Sequence, residues 1–344
     1  GFIGAANIDT NSRLCMASAV AGYKRAFGSD TVPNCYADLE RAELIVLIGS
    51  NAAWCHPVTF GRIRTAKDKN PNLKVVVIDP RRTDSCDIAD LHLPLAPGSD
   101  VTLFNGLLHY LADNQLLDQE YIRAYTEGFS EALASAQQDA ENLDDVSTRC
   151  SLTRDALETF YKLFSRAAKT VSLYSQGVNQ SSSGTDKVNA IINCHLATGR
   201  IGKPGMGPFS ITGQPNAMGG REVGGLANQL AAHMDFNNKD DIARVARFWQ
   251  SNNIARQPGL TAIPMFDAIA NGKIKAVWIM ATNPVVSLPH ADKVKRALEQ
   301  CELVVVSDCA ANTDTLDLAH IKLPAAGWSE KDGTVTNSER RISR

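Results

Sequence analysis

The 344-residue sequence predicts an α/β protein: two Rossmann-like parallel-sheet domains related by an approximate internal repeat. Three observations carry this expectation. Runs such as Val75-Val76-Val77-Ile78 and Leu303-Val304-Val305-Val306 are continuously aliphatic, the pattern of strands covered on both faces. They alternate with helical stretches, which implies right-handed βαβ units. The whole pattern also occurs twice.

The first copy reads AELIVLIGSNAAWCHPV, a helical stretch, then LKVVVIDPRRTDSCDIADLHLPLAPGSD. The second reads IKAVWIMATNPVVSLPH, a helical stretch, then CELVVVSDCAANTDTLDLAHIKLPAAGWSEKD. In each, a strand ends at an Asn (Asn51, Asn283) and a second strand ends at an Asp (Asp79, Asp308). Thr-Asp follows, and a short apolar strand closes on Leu-Pro. The Asn-to-Asp spacing is 28 residues in one copy and 25 in the other. Between the copies the spacing predicts helices over 100–111 and 153–168, a strand at VSLYSQG, a Ser/Gly loop, and a helix over 186–198. The acidic stretch 139–145 reads as a solvated loop. The Gly/Pro-rich GRIGKPGMGPFS (199–210) marks a domain boundary, giving domains 1–205 and 206–344, the second incomplete.

Composition removes several function classes. Lys and Arg number 35 against 37 Asp and Glu, a net charge of −2, without the basic excess of a nucleic-acid binder. The longest apolar run, AVWIMA, is far short of the ~20 residues of a membrane span. The turns GSNAAW and ATNPVV lack G-x-G-x-x-G, so an ordinary nicotinamide dehydrogenase fits poorly. None of the eight cysteines forms C-x-x-C, which argues against a zinc or iron–sulfur motif and for free thiols in a reducing compartment. His92, His109, His195, His233, His290 and His320 have no metal-ligand spacing. With no initiator Met and a charged end at ERRISR, the chain reads as a piece of a longer polypeptide.

Ligands of parallel sheets sit beyond the carboxyl ends of the strands, where Asn51, Asp79, Asn283 and Asp308 fall. Such residues also cap turns and helices, so each alone has a purely structural reading. As a matched set they imply two similar ligands, or one ligand with two similar arms. Cys15 lies in NIDTNSRLCMASAV, beside Arg13 and at the start of a helix-forming run, where a cysteine suits a soft-metal ligand, a nucleophile or a small buried residue. In ITGQPNAMGGREVGG, glycines permit close backbone approach, and Arg221 offers a planar donor fork suited to an oxyanion.

Over essentially its whole length the sequence resembles the prokaryotic molybdopterin oxidoreductases, and within them the assimilatory nitrate reductases. The likeness is carried by NIDTNSRLCMASAV, VLIGSNAAWCHPV, VIDPRRT, LAPGSD, SITGQPNAMGGREVG, VGGLANQLAAHMDF, TNPVVSLP and KDGTVTNSERR. The resemblance implies a bis-molybdopterin guanine dinucleotide with molybdenum, ligated by Cys15. Met16 would line the substrate side of the metal, Arg221 would face it and hold nitrate, and Gln214 would line the same cavity. Asn51, His56, Asp79, Arg81, Thr83, Gly98 and Asp100 would hold one dinucleotide arm, with Asp100 the candidate for guanine. Asn283, Ser307, Asp308 and Thr313 would hold the other. Asn11, Arg13, Gly49, Ser50, Gln176, Gly177 and Gly213 are further cofactor contacts by the same resemblance.

The implied activity is reduction of nitrate to nitrite by oxygen-atom transfer, in the cytoplasm, with electrons from a donor protein or reductase subunit. A formate dehydrogenase of the same superfamily is the alternative; there the metal-ligating residue is often followed by His, whereas here Met16 follows Cys15. A cofactor-free, inactive fragment is another alternative. The family's four-cysteine [4Fe–4S] motif is missing from this sequence, which places the cluster in the full-length protein.

Overall fold

A computed structural model describes residues 4–344. It divides into two compact units. One comprises Leu14–Pro215 with Asn337–Arg341; the other comprises the described residues up to Arg13, Asn216–Thr336 and Ile342–Arg344.

The Leu14–Pro215 unit is built on five parallel strands: β1 (Leu44–Ile48), β2 (Lys74–Ile78), β3 (Leu91–Leu93), β4 (Thr170–Tyr174) and β5 (Gly207–Ser210). Their order is β3-β2-β1-β4-β5, with Ile48 level with Ile78 on one side and with Tyr174 on the other. The aliphatic runs are explained by two cores, one on each face. Leu44, Val46, Ile48, Val76 and Ile78 face helices Ala17–Phe27, Asp100–Asp113, Arg154–Arg166 and Gly184–Ala197. Ile45, Leu47, Val75 and Val77 face helices Tyr36–Arg41 and Pro57–Lys69. All nine are at most 1% exposed, and each contributes about 1.5–3 kcal/mol by leaving water. Local signals set the helix starts: Pro57 opens its helix, and Thr153 Oγ1 accepts from the Ala156 amide at 3.3 Å.

Two sequence expectations shift here. The boundary segment 199–210 contains β5, whose Phe209 pairs with Leu173 of β4, so this unit runs on to Pro215. The strand is short and Gly/Pro-rich because it lies at the sheet edge. The acidic stretch 139–145 is not a free loop. Asp139 ends helix Phe129–Asp139, and Asn142 caps helix Leu143–Cys150 by accepting from the amides of Asp144 and Asp145 at 3.0 Å. Arg149 and Arg154 neutralise Asp139, Asp145 and Asp144.

The other unit contains three parallel strands in sequence order: β6 (Ala276–Met280), β7 (Leu303–Asp308) and β8 (Ile321–Pro324). One face, with Val277, Ile279, Val304 and Val306, packs on helices Ala262–Ala270 and Ala291–Gln300. The opposite face carries Trp278, Met280, Ile321 and Leu323, which are 40–59% exposed. Here the aliphatic runs are covered on one face rather than two. A short antiparallel pair, β9 (Val335–Thr336) and β10 (Ile342–Ser343), completes this unit. Among the described residues no helix is long and apolar enough to cross a membrane.

Candidate functional site

Gly49, Asp79 and Ser175 directly follow β1, β2 and β4, and all three line a cavity of about 1000 Å³ in the Leu14–Pro215 unit. Beyond-strand placement is where ligands of parallel sheets bind. Its floor is main chain on main chain. Gly49 has φ +52°, and the Gly177 amide donates to its carbonyl at 2.9 Å. A side chain on either would collide with the other. Gly98, at φ +93°, has nothing within 4 Å of where a Cβ would be, so the main chain there faces open space.

The walls are polar and only partly satisfied. Asn51 Oδ1 accepts from Ser85 Oγ at 3.2 Å, fixing the turn after β1. Asp79 accepts from the Arg81 amide at 2.9 Å, and its carbonyl contacts His92 Nε2 at 2.9 Å. Asp100 opens helix Asp100–Asp113, and its Oδ2 lies 2.6 Å from Lys187 Nζ. Ser50 Oγ, Gln176 Oε1 and both ring nitrogens of His56 are buried with no hydrogen-bond partner among the described residues. Burial pushes the His56 pKa below its ordinary value. A Cβ on Gly213 would sit 3.4 Å from His56 Nε2, so this loop closes over the ring. Buried polar atoms are rarely left without partners, and several on one cavity wall mark a place for a polar ligand.

Cys15 precedes helix Ala17–Phe27, and two cavity residues reach its sulfur. Gln176 Nε2 donates to Sγ at 2.7 Å, and Gln214 Oε1 lies 3.8 Å away while accepting from Thr212 Oγ1. Met16 caps that helix and is buried in the hydrophobic core, 5% exposed. Thr83 is buried beyond the lining, its hydroxyl unpartnered among the described residues.

Arg13, a cofactor contact by the resemblance, has its guanidinium engaged by protein partners. Its guanidinium bonds Asp9 at 3.0 Å and Asn228 at 2.7 Å, inside the other unit. Asp9 is the reason: it also accepts from the amides of Ala227 and Ala262, tying three segments together. Asn11 is exposed in the short turn Asn11–Leu14. Arg221 lies in helix Ala217–Glu222, 6% exposed, with its guanidinium on Met218 Sδ and its carbonyl accepting from Gln229. The glycines around it serve internal packing as well: a Cβ on Gly225 would meet the Gly220 carbonyl at 2.6 Å.

Contacts made around β1–β3 recur around β6–β8. Asn283 Oδ1 accepts from Thr315 Oγ1 at 2.6 Å, as Asn51 does from Ser85. The amide two residues on, Val285 or Ala53, donates to that same hydroxyl. Asp308 accepts from the Ala310 amide at 2.9 Å, as Asp79 does from Arg81. Ala281, at φ +53°, takes the place of Gly49, and its amide donates to the Ser307 carbonyl. Ser307 Oγ accepts from Trp278 Nε1, and Thr313 Oγ1 accepts from the Leu316 amide.

Lys187, Gln180 and Ser181 also line the cavity, and sequence reasoning missed all three. Their segment reads as a polar loop and first helical turn, which gives no sign that it faces inward. Among the described residues no group of three or more His, Cys, Asp or Glu side chains could hold a metal by itself.

The chain is 59% identical to a nitrate reductase of Klebsiella oxytoca and 56% identical to one of Shewanella frigidimarina, each over the whole of this chain. It spans 39% and 36% of the length of those relatives. Acetylene hydratase from Pelobacter acetylenicus shares the fold, with a TM-score of 0.75 over 98% of this chain and 48% of that one at 20% identity. The family model for molybdopterin oxidoreductases matches residues 2–344. On that match, and with a polar, glycine-floored cavity at the strand ends, the chain belongs to the molybdopterin oxidoreductase family.

Proposed function

We propose that the cavity holds one nucleotide arm of a bis-molybdopterin guanine dinucleotide and that the longer protein is a molybdenum nitrate reductase. The observation that carries this reading is the seat of Cys15, whose sulfur lies against Gln176 and Gln214 of the cavity wall. A soft sulfur beside a nucleotide-sized cavity is the donor that a thiophilic metal requires. The similarity to nitrate reductases over the full chain supports nitrate as the substrate.

The residues present fit the group. The bare main chain at Gly98 leaves room for a phosphate or a base against the backbone, and the close contact of Gly49 with Gly177 keeps side chains off the floor. The unpartnered atoms of Ser50, His56 and Gln176 offer hydrogen bonds that the protein leaves unmade. Asp100 and Asp79 supply carboxylates for the donors of a guanine, and Arg81 supplies positive charge for a phosphate. Asn283, Ser307, Asp308 and Thr313 serve the second arm, because contacts at Asn283 and Asp308 match those of the first.

When bound, the group supplies the two-electron chemistry that takes nitrate and two protons to nitrite and water. The chain's own contribution is positioning and charge. By the resemblance, Arg221 would hold the anion through its planar fork, and Gln214 and Met16 would serve the substrate side of the metal. A [4Fe–4S] cluster in the longer protein, expected from the resemblance, would supply the electrons, drawn from a donor protein or reductase subunit. The assimilatory, cytoplasmic type follows from the resemblance of VGGLANQLAAHMDF.

The test is an assay of the full-length protein with a reduced dye and nitrate, and with formate and an oxidised dye. Nitrite formation without formate oxidation is expected. Formate oxidation without nitrite formation would transfer the reading to a formate dehydrogenase.

A further inference from the structure

Lys187 is the fourth residue of helix Gly184–Ala197, and its side chain is only 4% exposed. The amine ends 2.6 Å from Asp100 Oδ2, itself 8% exposed. Both side chains line the cavity. Burying an ion pair rarely stabilises a fold over apolar residues of the same volume, so a pair retained on a cavity wall calls for another reason.

The other carboxylate of the wall, Asp79, is held by the Arg81 backbone amide. Asp100 is held by a cation. A lone carboxylate here would repel the phosphate charges of a nucleotide. The amine cancels that charge and, by occupying one lone pair of Oδ2, fixes the plane of the carboxylate. The remaining lone pairs of both oxygens stay open to donors.

We propose that Lys187 is a positioning residue for base recognition: it holds Asp100 as a two-acceptor face for a purine that presents two adjacent N–H donors, which is guanine. Hypoxanthine presents one such donor, and adenine presents an acceptor at the ring nitrogen. The proposal rests on the reading of the cavity as a guanine nucleotide site.

The test is calorimetric titration of the full chain with GDP, IDP and ADP. Wild type is expected to bind GDP about tenfold or more tighter than IDP, the worth of one hydrogen bond to a charged acceptor. Lys187→Met, which keeps the stem and removes the charge, is expected to bring GDP and IDP within about twofold of each other, with Lys187→Arg restoring the preference. A Lys187→Met protein that keeps the wild-type GDP-to-IDP ratio, even with both affinities lowered, would overturn the proposal while leaving the nucleotide reading standing. Wild type that binds GDP no better than ADP would overturn both. Where Lys187→Met does not fold, Lys187→Met/Asp100→Leu removes the pair together and avoids a lone buried charge. It is expected to show no GDP preference, and a preserved preference overturns the proposal.

Discussion

A Cβ on Gly177 would lie 2.6 Å from the Cα of Gly49, and one on Gly49 would lie 2.7 Å from the Cα of Gly177. The two glycines follow β1 and β4, so main chain meets main chain at the floor of the cavity. Gly177→Ala therefore has to push the two strand ends apart. Overpacking of this kind costs about 1–3 kcal/mol, which lowers the melting temperature by several degrees. Thermal unfolding followed by circular dichroism reads this directly, and a variant melting with wild type would mean that the contact is slack.

Asn283 is a stronger structural anchor than Asn51. Its Oδ1 accepts from both the Thr315 hydroxyl and the Thr315 amide, and Thr315 is fully buried. Asn283→Ala leaves two buried donors unmatched and should cost about 1–3 kcal/mol. Asn51→Ala removes one bond of 3.2 Å and should cost less. Denaturant unfolding of the two variants compares them, and equal losses would contradict the ranking.

His195 makes stability depend on pH. It is fully buried, bonded through Nε2 to Ser172 Oγ at 2.8 Å, with its ring on Phe164 and Arg200 nearby. Burial, and then the Arg200 charge, hold its pKa well below the ordinary value of 6.5. The unfolded chain thus binds the proton first, and the His195 contribution is intact above about pH 6.5 and shrinks as pH falls below it. The slope reaches at most about 1.4 kcal/mol per pH unit. His195→Gln should flatten the fall of stability between pH 6.5 and 5. Parallel slopes for variant and wild type would exclude His195 as the source.

Arg221→Ala in the full-length protein should lower nitrate turnover by about a hundredfold or more, as loss of a preorganised charge at a reacting anion does. Molybdenum content should stay at the wild-type level, because the proposal gives Arg221 to the anion and Cys15 to the metal. Metal analysis alongside nitrite assays separates the two, and turnover at the wild-type rate would remove Arg221 from the site.

Much of the fold was legible because its signals are local. The aliphatic runs gave the strands. The helices predicted over 100–111, 153–168 and 186–198 appear as Asp100–Asp113, Arg154–Arg166 and Gly184–Ala197. Helix Leu143–Cys150 was hidden because its Asp144 is neutralised by Arg154 of the next helix, a tertiary fact, although Asp145 and Arg149 pair within the helix itself. Residues of the first strand copy, including Asn51, Asp79 and Gly98, were placed at the cavity by the rule for strand ends and by motif resemblance. Lys187 escaped both, since a polar residue in the first turn of a helix ordinarily faces water. So did the unpartnered nitrogens of His56, whose isolation depends on the loop at Gly213.

The most direct test of the account is the content of the full-length protein: molybdenum, and GMP released by acid, per chain. The account predicts one molybdenum and two GMP, with Cys15→Ala losing the metal. A protein that carries molybdenum and releases no GMP would contradict the assignment of this cavity to a guanine dinucleotide.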